Sequence, residues 1–327
     1  MKPFNYTRAE GLEQAAKDAS QDGALAIAGG TNLLDLMKLQ VETPSQLIDV
    51  NPLPLGQIED DRDGLRIGAL ASNTATASHA RVRADYPVLA KAILAGATQQ
   101  LRNKATTAGN LCQRTRCYYF TNIDQPCNKR DPGSGCGAID GIAKLHAVLG
   151  TSSQCIATYP GDMAVAMAAL DAQVEIVGDD GGKRTVPVRS FHRLPGETPQ
   201  YDNVLEPGEI ITGVTLPAPV GGTQLYRKVR ERSSYAFALC SVAAIVDIAD
   251  NRITRADLTF GGLAHKPWHD PRLSELLTGQ APSLELFDEA ADLLLENARG
   301  YGENDFKIPL ARRALTATLC EATGVQP

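Results

Sequence analysis

Residues 101–140 constrain the fold of this chain more than any other part of it. Gly, Pro, Asn, Asp, Arg and Cys dominate the stretch, and neither a helical nor a strand period of apolar residues persists through it. A structureless run of that length inside a compact domain is unusual unless it serves a function. The remainder of the chain has ordinary means to fold. It holds 327 residues, 43% of them apolar and 21% charged. That suits two or three domain-sized units whose core needs no covalent staples.

Cysteine usage points the same way. Of seven cysteines, Cys240 sits in an apolar strand pattern, Cys320 in an apolar helix stripe and Cys112 at the edge of a small-residue loop. These three read as small buried hydrophobes. Cys117, Cys127, Cys136 and Cys155 differ: they lie within thirty-nine residues, three of them in the irregular segment. Loops flanked by Gly and Pro can wrap an inorganic core and turn backbone N–H groups toward its sulfurs. Four thiolates are the usual complement of an iron–sulfur cluster. The spacings of nine, eight and eighteen intervening residues match neither a zinc ribbon nor the ferredoxin run. The residues by themselves leave open a cluster, a structural zinc or two disulfides, the last disfavoured in a chain of this size. Arg114, Arg116, Lys129 and Arg130 crowd the same stretch. Their charge would offset that of four thiolates; otherwise they form a solvated basic loop.

Periodicity predicts a helix over residues 8–19, a short buried strand over 24–28, a helix over 33–38 and a strand over 46–50. Together these make a strand–helix–strand unit. A strand follows over 65–71, then an Ala-rich helix over 74–96. Past the irregular segment, residues 162–170 read as a helix and 173–177 as a strand. Residues 235–248 and 253–260 read as neighbouring strands, and 284–299 and 310–323 as helices. The Pro/Gly-rich run 216–222 marks a domain boundary.

Two loops carry the chemistry of a phosphate-bearing ligand. Gly29 and Gly30 break the strand over 24–28, and Thr31 and Asn32 open the next helix. Paired glycines permit close backbone approach, and a helix start offers free N–H groups and a positive dipole end to a pyrophosphate. The pattern is neither the G-x-G-x-x-G fingerprint nor a P-loop, and a plain tight turn would also satisfy it. Thr106-Thr107-Ala108-Gly109-Asn110 repeats the same small, hydroxyl-bearing chemistry. A net charge of −6 without a Lys/Arg track argues against nucleic acid as a partner. No apolar run reaches the roughly eighteen residues of a membrane span, and the N-terminal residues lack the apolar core of an export signal. The bare chain thus reads as cytoplasmic. His79, His146, His192, His265 and His269 show no ligand spacing and read as structural or surface groups.

Taken in order, the motifs resemble one family. Phe4-Asn5-Tyr6, Ala28-Gly29-Gly30-Thr31-Asn32, Leu101-Arg102-Asn103 and Thr107-Ala108-Gly109-Asn110 come first. Pro160-Gly161-Asp162-Met163-Ala164, Tyr226-Arg227-Lys228 and Phe260-Gly261-Gly262-Leu263-Ala264 follow. The set spans nearly the whole chain and is similar to the FAD-binding medium subunits of the molybdenum hydroxylases, the xanthine dehydrogenase and aldehyde oxidoreductase group. The strings GGTNLLDLMK, QRTRCYYF, QPCNKR, GSGC and AHKPW look particularly similar to the subgroup that serves bacterial periplasmic aldehyde oxidoreductases. Most of the wider family lacks the cysteine-bearing insertion.

The resemblance implies an α+β fold of the PCMH and molybdopterin dehydrogenase type, with two FAD-binding subdomains (1–55 and 56–220) and a sheet-plus-helices domain (221–327). The second subdomain would carry an iron–sulfur insertion near 112–156. It further implies that Ala26, Ile27, Ala28, Gly29, Gly30, Thr31, Asn32, Leu33 and Leu34 hold the FAD pyrophosphate. Thr107, Gly109 and Asn110 would form the second cofactor loop, and Asp162 would bond the flavin or its ribityl chain. Lys228 would lie near the ring and favour its reduced anionic form, with Ile211 close by. Read without the family, Asp162 is a helix N-cap, Lys228 a surface lysine and Ile211 plain core. Cys117, Cys127, Cys136 and Cys155 would hold a [4Fe–4S] cluster. The implied partners are a large molybdenum-cofactor subunit and a small [2Fe–2S] subunit in a heterotrimer, exported together to the periplasm by a partner's signal. The chain would pass electrons through FAD to an external acceptor, with no substrate-level catalytic residue of its own. A stand-alone flavoprotein oxidase and a zinc-stabilised binding module are the rival readings.

Overall fold

A computed structural model describes residues 1–326. Three sheets follow one another along the chain. The first is parallel, built from β1 (Asn5–Arg8), β2 (Ala24–Ile27) and β3 (Gln46–Asp49) in the order β1-β3-β2. The helices Leu12–Ala19 and Leu33–Lys38 make its connections. The second holds β4 (Ile58–Asp61), β5 (Gly64–Gly68), β6 (Gln173–Val177), β7 (Lys183–Pro187) and β8 (Ile210–Leu216). It is antiparallel, in the order β4-β5-β8-β6-β7. The third is an antiparallel meander of β9 (Thr223–Val229), β10 (Cys240–Ala249) and β11 (Arg252–Gly261). The helices Pro271–Leu277, Leu284–Leu295 and Lys307–Thr323 cover it. The mixture is α+β, as the sequence implies.

Local chemistry explains the punctuation. Asp250 and Asn251 both take positive φ (51° and 56°) between β10 and β11, the two-residue turn whose twist suits an antiparallel pair. Ser283 accepts from Leu286 N to cap the helix Leu284–Leu295, and Gly324 at φ 80° ends the last one.

β10 organises the core. Its interior residues are buried on both faces. Ala243 and Ile245 join a cluster with the helix Met163–Ala169 and the second sheet. Cys240, Val242, Ala244 and Val246 join another with the C-terminal helices. The two-residue period of a strand thus lets one run serve two cores. Register carries this to β9. Lys228 pairs with Ser241 and Tyr226 with Ala243, so both share the face turned to the N-terminal part.

Several predicted elements differ in detail. The helix over 8–19 begins only at Leu12, because residues 5–8 pair in parallel with β3. The Ala-rich stretch 74–96 is three short helices, Asn73–Ser78, Ala80–Asp85 and Pro87–Ala95. His79 breaks it in extended conformation at ψ 133°, and Pro87 begins the third helix, where its missing N–H costs nothing. The strand over 24–28 is an edge strand with Leu25 and Ala26 exposed, not a buried one. The strand over 235–248 starts at Cys240, because Tyr235 takes φ 51° and residues 235–239 form a loop. The irregular segment contains the short helices Gln99–Lys104, Thr107–Leu111 and Tyr118–Thr121, joined by turns.

Candidate functional site

The two glycine loops meet. A Cβ at Gly29 would stand 2.1 Å from the Lys104 carbonyl oxygen, so the first loop lies directly on the backbone leading into the second. Gly30 takes φ 68°, which opens the turn, and Leu34 N returns to Gly30 O at 3.0 Å. Asn51 Nδ2 holds Ala28 O at 3.1 Å. Asn32 does not cap its helix; its Oδ1 accepts from Arg114 N at 2.8 Å. On the second loop, Thr106 accepts from Gly109 N at 3.3 Å. Thr107 is fully buried, with its hydroxyl donated to Ala71 O at 3.1 Å.

These loops wall a cleft of about 540 Å³, within the range of cofactor sites. Thr31, Asn32, Gly109, Asn110, Asp162 and Lys228 all line it. Ala26, Ile27, Ala28, Gly29, Gly30, Leu33, Leu34 and Thr107 are not among its lining residues and instead shape the turns that present the lining groups. Ile211 lies elsewhere: it pairs with Ile176 in β8 and packs in the large core cluster. The basic lining residues (Arg102, Arg116, Lys228, Arg232) nearly balance the acidic ones (Asp35, Asp162, Glu231). Phosphate held here would therefore depend on backbone N–H groups rather than on bulk charge. Asn73 also lines the cleft, buried, with its Oδ1 lacking a partner. A buried acceptor left orphaned at a cleft wall suits a ligand that brings a donor.

Asp162 and Lys228, read separately in the sequence, are one unit. Lys228 Nζ lies 2.8 Å from Asp162 Oδ2, and Tyr226 donates its hydroxyl to Asp162 Oδ1 at 2.6 Å. Ala95 O takes a further bond from Lys228 Nζ at 3.1 Å. Both ionic side chains are less than a tenth exposed. The Asp162 carboxylate makes no side-chain cap for the helix that follows it, and Lys228 is not a surface lysine. Burial, then the charge of Asp162, pushes the Tyr226 hydroxyl well above the usual phenol range, so it stays a donor. Across the mouth of the cleft, Arg116 stacks over Phe237 at 5.4 Å. Burial lowers the pKa of this guanidinium, which still remains charged.

Cys117, Cys127 and Cys136 of the irregular segment gather with Cys155 behind that wall. Cys127 and Cys136 form an isolated antiparallel bridge. Cys117 and Cys127 share one small apolar cluster, and Cys117 and Cys136 another. Proximity of the two thiols lowers the Cys136 pKa and raises that of Cys155. Burial pushes the Cys117 thiol up to about 12, with the nearby backbone N–H groups of Phe120 and Tyr119 acting in the opposite direction. The backbone N–H groups of Ala138, Ile156 and Ile139 likewise favour a charged Cys136 sulfur, and that of Ala157 a charged Cys155. Such amide donors match a donor set that must carry negative sulfur, and buried thiolates require a cation beside them. All seven cysteines are free. Among the described residues, no three His, Cys, Asp or Glu side chains are drawn to the geometry of a single bound ion.

The basic residues of the segment have structural partners. Asp202 takes Lys129 Nζ at 2.6 Å and Arg114 Nε at 2.7 Å, and Arg114 also pairs with Glu42. Lys129 is only 2% exposed. Burial opposes the Asp202 charge, but the charges of Lys129 and Arg114 outweigh it and hold the carboxyl down at about 2. Arg130 donates to the carbonyls of Tyr119 and Phe120, both at 2.8 Å. Among the described residues, Arg116 and Arg130 of the four have no carboxylate within pairing distance; Arg116 stands beside Cys117 and lines the cleft. Sequence reasoning missed Asn128. Its Oδ1 accepts from Gly133 N and Gly135 N, and its Nδ2 reaches Gln154 O at 3.1 Å. One side chain thereby ties the turn between Cys127 and Cys136 to the approach to Cys155. An Asn beside a Cys in a Gly-rich turn was the available signal. His146 was also missed: its Nε2 lies 3.0 Å from Cys117 Sγ. A cavity of about 30 Å³ separates the two sites, lined by Arg116, Cys117 and His146 together with Pro160, Gly161 and Asp162.

Comparison with known proteins bears on both sites. Residues 2–219 match the FAD binding domain in molybdopterin dehydrogenase, and residues 224–321 the CO dehydrogenase flavoprotein C-terminal domain. The chain is 52% identical to the aldehyde oxidoreductase FAD-binding subunit PaoB of Escherichia coli (strain K12), over 98% of this chain and 99% of that one. It is 26% identical to the glyceraldehyde dehydrogenase medium chain of Sulfolobus acidocaldarius, over 88% and 85%. In structure it superposes on quinoline 2-oxidoreductase from Pseudomonas putida 86 with a TM-score of 0.75 at 23% identity, covering 99% of each chain. Carbon monoxide dehydrogenase from Hydrogenophaga pseudoflava gives 0.77 at 22%, covering 99% and 98%. These two likenesses establish the fold.

Two outcomes follow from the packing. Gly29→Ala places a methyl against the Lys104 carbonyl and should destabilise the chain by ~1–3 kcal/mol while lowering the FAD retained through gel filtration. Gly56→Ala, with nothing within 4 Å, should retain FAD normally. Asp202→Asn leaves buried Lys129 without its counter-charge and should cost about 3–5 kcal/mol at neutral pH. Because the Asp202 pKa is depressed from 3.8 to about 2, its stabilisation is present above the unfolded value and is lost as pH falls toward 2. Denaturation midpoints across that window should fall less steeply in the variant than in the parent; equal slopes would contradict the assignment.

Proposed function

The chain belongs to the FAD-binding medium subunits of the molybdenum hydroxylases, and from that premise we propose that it is the electron-transferring flavoprotein subunit of an aldehyde oxidoreductase. The full-length likeness to an aldehyde oxidoreductase FAD-binding subunit carries this reading. Bound FAD supplies a ring that takes up and releases electrons. Thr31 and Asn32 at one loop, and Gly109 and Asn110 at the other, would hold the cofactor, the first loop offering its backbone to the pyrophosphate. Thr107 and the residues flanking Thr31 and Asn32 keep those loops in contact. Asp162 accepts hydrogen bonds on the flavin side, oriented by Tyr226 and Lys228. Lys228 places a positive charge at the same wall, tethered rather than free, so its field stays fixed when the ring changes charge. Ile211 supports the core beneath and takes no part.

Substrate oxidation belongs to a partner. In this reading a large subunit carries the molybdenum cofactor, a small [2Fe–2S] subunit relays electrons, and an external acceptor drains them from this chain. The same reading assigns Cys117, Cys127, Cys136 and Cys155 to a [4Fe–4S] cluster. Its support is the gathering of four thiols, the backbone N–H groups that favour charge on three of the sulfurs, and an insertion held around them by Asn128 and the Asp202 ion network. A cluster there adds a one-electron centre whose negative charge Arg116 faces from the cleft side. We place the assembled complex in the periplasm, carried by a partner's export signal. The ground is the resemblance to the periplasmic subgroup.

The complex purified anaerobically should contain FAD, iron and acid-labile sulfide beyond the content of the small subunit. Zinc without additional iron would make the site a structural metal centre instead. Cys127→Ser should lose that extra iron and keep most of its FAD, since the glycine loops are separately supported. Cell fractionation should recover the chain in the periplasm when the signal-bearing partner is co-expressed. Recovery in the cytoplasm alongside an exported partner would overturn the localisation.

A further inference from the structure

His146 has no role in holding FAD, yet its surroundings are built to hold its ring in one place. It is 2% exposed. Its backbone N–H bonds Ala143 O at 2.8 Å. Its carbonyl accepts from Lys307 Nζ at 2.9 Å and Asn304 Nδ2 at 3.3 Å. Both donors are fully buried at the start of the last helix, and Asn304 also holds Ala147 O at 3.1 Å. The C-terminal domain therefore fixes the backbone from which the ring projects. The ring then places Nε2 3.0 Å from Cys117 Sγ, while Nδ1 is buried with no partner.

The chemistry of that contact is directional. A metal-bound cysteine sulfur carries no proton and can only accept. Facing such a sulfur, Nε2 must carry the hydrogen, and the partnerless Nδ1 is left as a bare lone pair. Of the two possible orphans, a bare acceptor is less costly to bury than an unmatched N–H.

We infer that His146 is a positioning residue for the cluster proposed above, donating an Nε2–H hydrogen bond to the Cys117 sulfur and thereby raising the cluster's reduction potential. The inference rests on that cluster assignment. Hydrogen bonds to cluster sulfurs are among the factors that set these potentials, because the donor favours the more negative, reduced state. The same geometry explains why a buried histidine that binds no metal sits beside one ligand of four. The backbone N–H groups of Phe120 and Tyr119 also favour a charged Cys117 sulfur, so His146 is one donor among several near it.

The test is a redox titration of the purified complex followed by electron paramagnetic resonance, with His146→Leu and His146→Gln compared against the parent. The leucine variant should keep its iron and acid-labile sulfide and show a midpoint shifted to more negative potential. Glutamine, whose Nε2 restores a donor, should bring it back toward the parent value. A leucine variant with full iron content and an unchanged midpoint overturns the inference. If that variant fails to hold iron, pulsed measurements on parent complex grown with ¹⁵N-histidine decide the matter. Coupling of the reduced cluster to a histidine nitrogen, lost in the glutamine variant, supports the bond, and its absence from the parent overturns it. A parent complex with no iron or sulfide beyond the small subunit's own sinks the cluster assignment itself, a result distinct from either.

Discussion

The strand β10, buried on both faces along most of its length, is the constraint on which the rest of the molecule depends. A strand with one wet face has only one core to satisfy. Here alternate residues of β10 must satisfy two, and a one-residue slip would exchange them. The fixed register puts Tyr226 and Lys228 on one face and Arg227 on the other, where it pairs with Glu321. Asp162 meets the first two from the start of the helix Met163–Ala169. A buried ion pair contributes little net stability, since desolvation offsets most of the attraction. Its value in this fold is alignment: the pair joins the C-terminal sheet to the wall of the cofactor cleft at one point.

The cysteine segment is held by other means. Its apolar clusters are small, with three buried members each, too few to offset the entropy of ordering so many residues. Polar clamps take over. Asn128 satisfies four hydrogen bonds that join two loop segments, and Asp202 ties Lys129 and Arg114 to the body of the protein. This explains why the segment shows no periodicity: its order comes from point contacts and does not require an amphipathic face.

Legibility in the sequence follows the same division. The helix–sheet mixture, the strand–helix–strand unit and the covering helices were readable because each buries one face and so repeats at a fixed period. The Ala-rich stretch misled, since alanine favours helix everywhere and the breaks at His79 and Pro87 depend on packing. The short strands β1 and β4 carry too few buried residues to signal themselves. Within the site, Gly29, Gly30, Asp162, Lys228 and the four cysteines could be singled out, by motif order more than by local chemistry. What could not be read was pairing. Asp162 and Lys228 are sixty-six positions apart, and nothing in their flanking residues announces that they touch. His146 had no ligand spacing because its partner is a sulfur twenty-nine positions away.

The two sites share more than proximity. Arg116, Pro160, Gly161, Asp162 and Phe237 border both the cofactor cleft and the small cavity beside Cys117 and His146. Arg116 belongs to the cysteine segment, Asp162 to the helix start beyond it, and Phe237 to the loop between β9 and β10. A wall drawn from three separate stretches of chain stays closed only while all three are folded. Ordering of the cysteine segment thus presents Arg116 to the cleft, and the β9–β10 loop presents Phe237 beneath it for stacking. Most of the loop contacts that build the FAD cleft, such as Gly29 on Lys104, lie outside that wall. The body of the cleft can therefore form without that wall, while the finish of its far side, where Arg116 and Asp162 meet, depends on the cysteine segment.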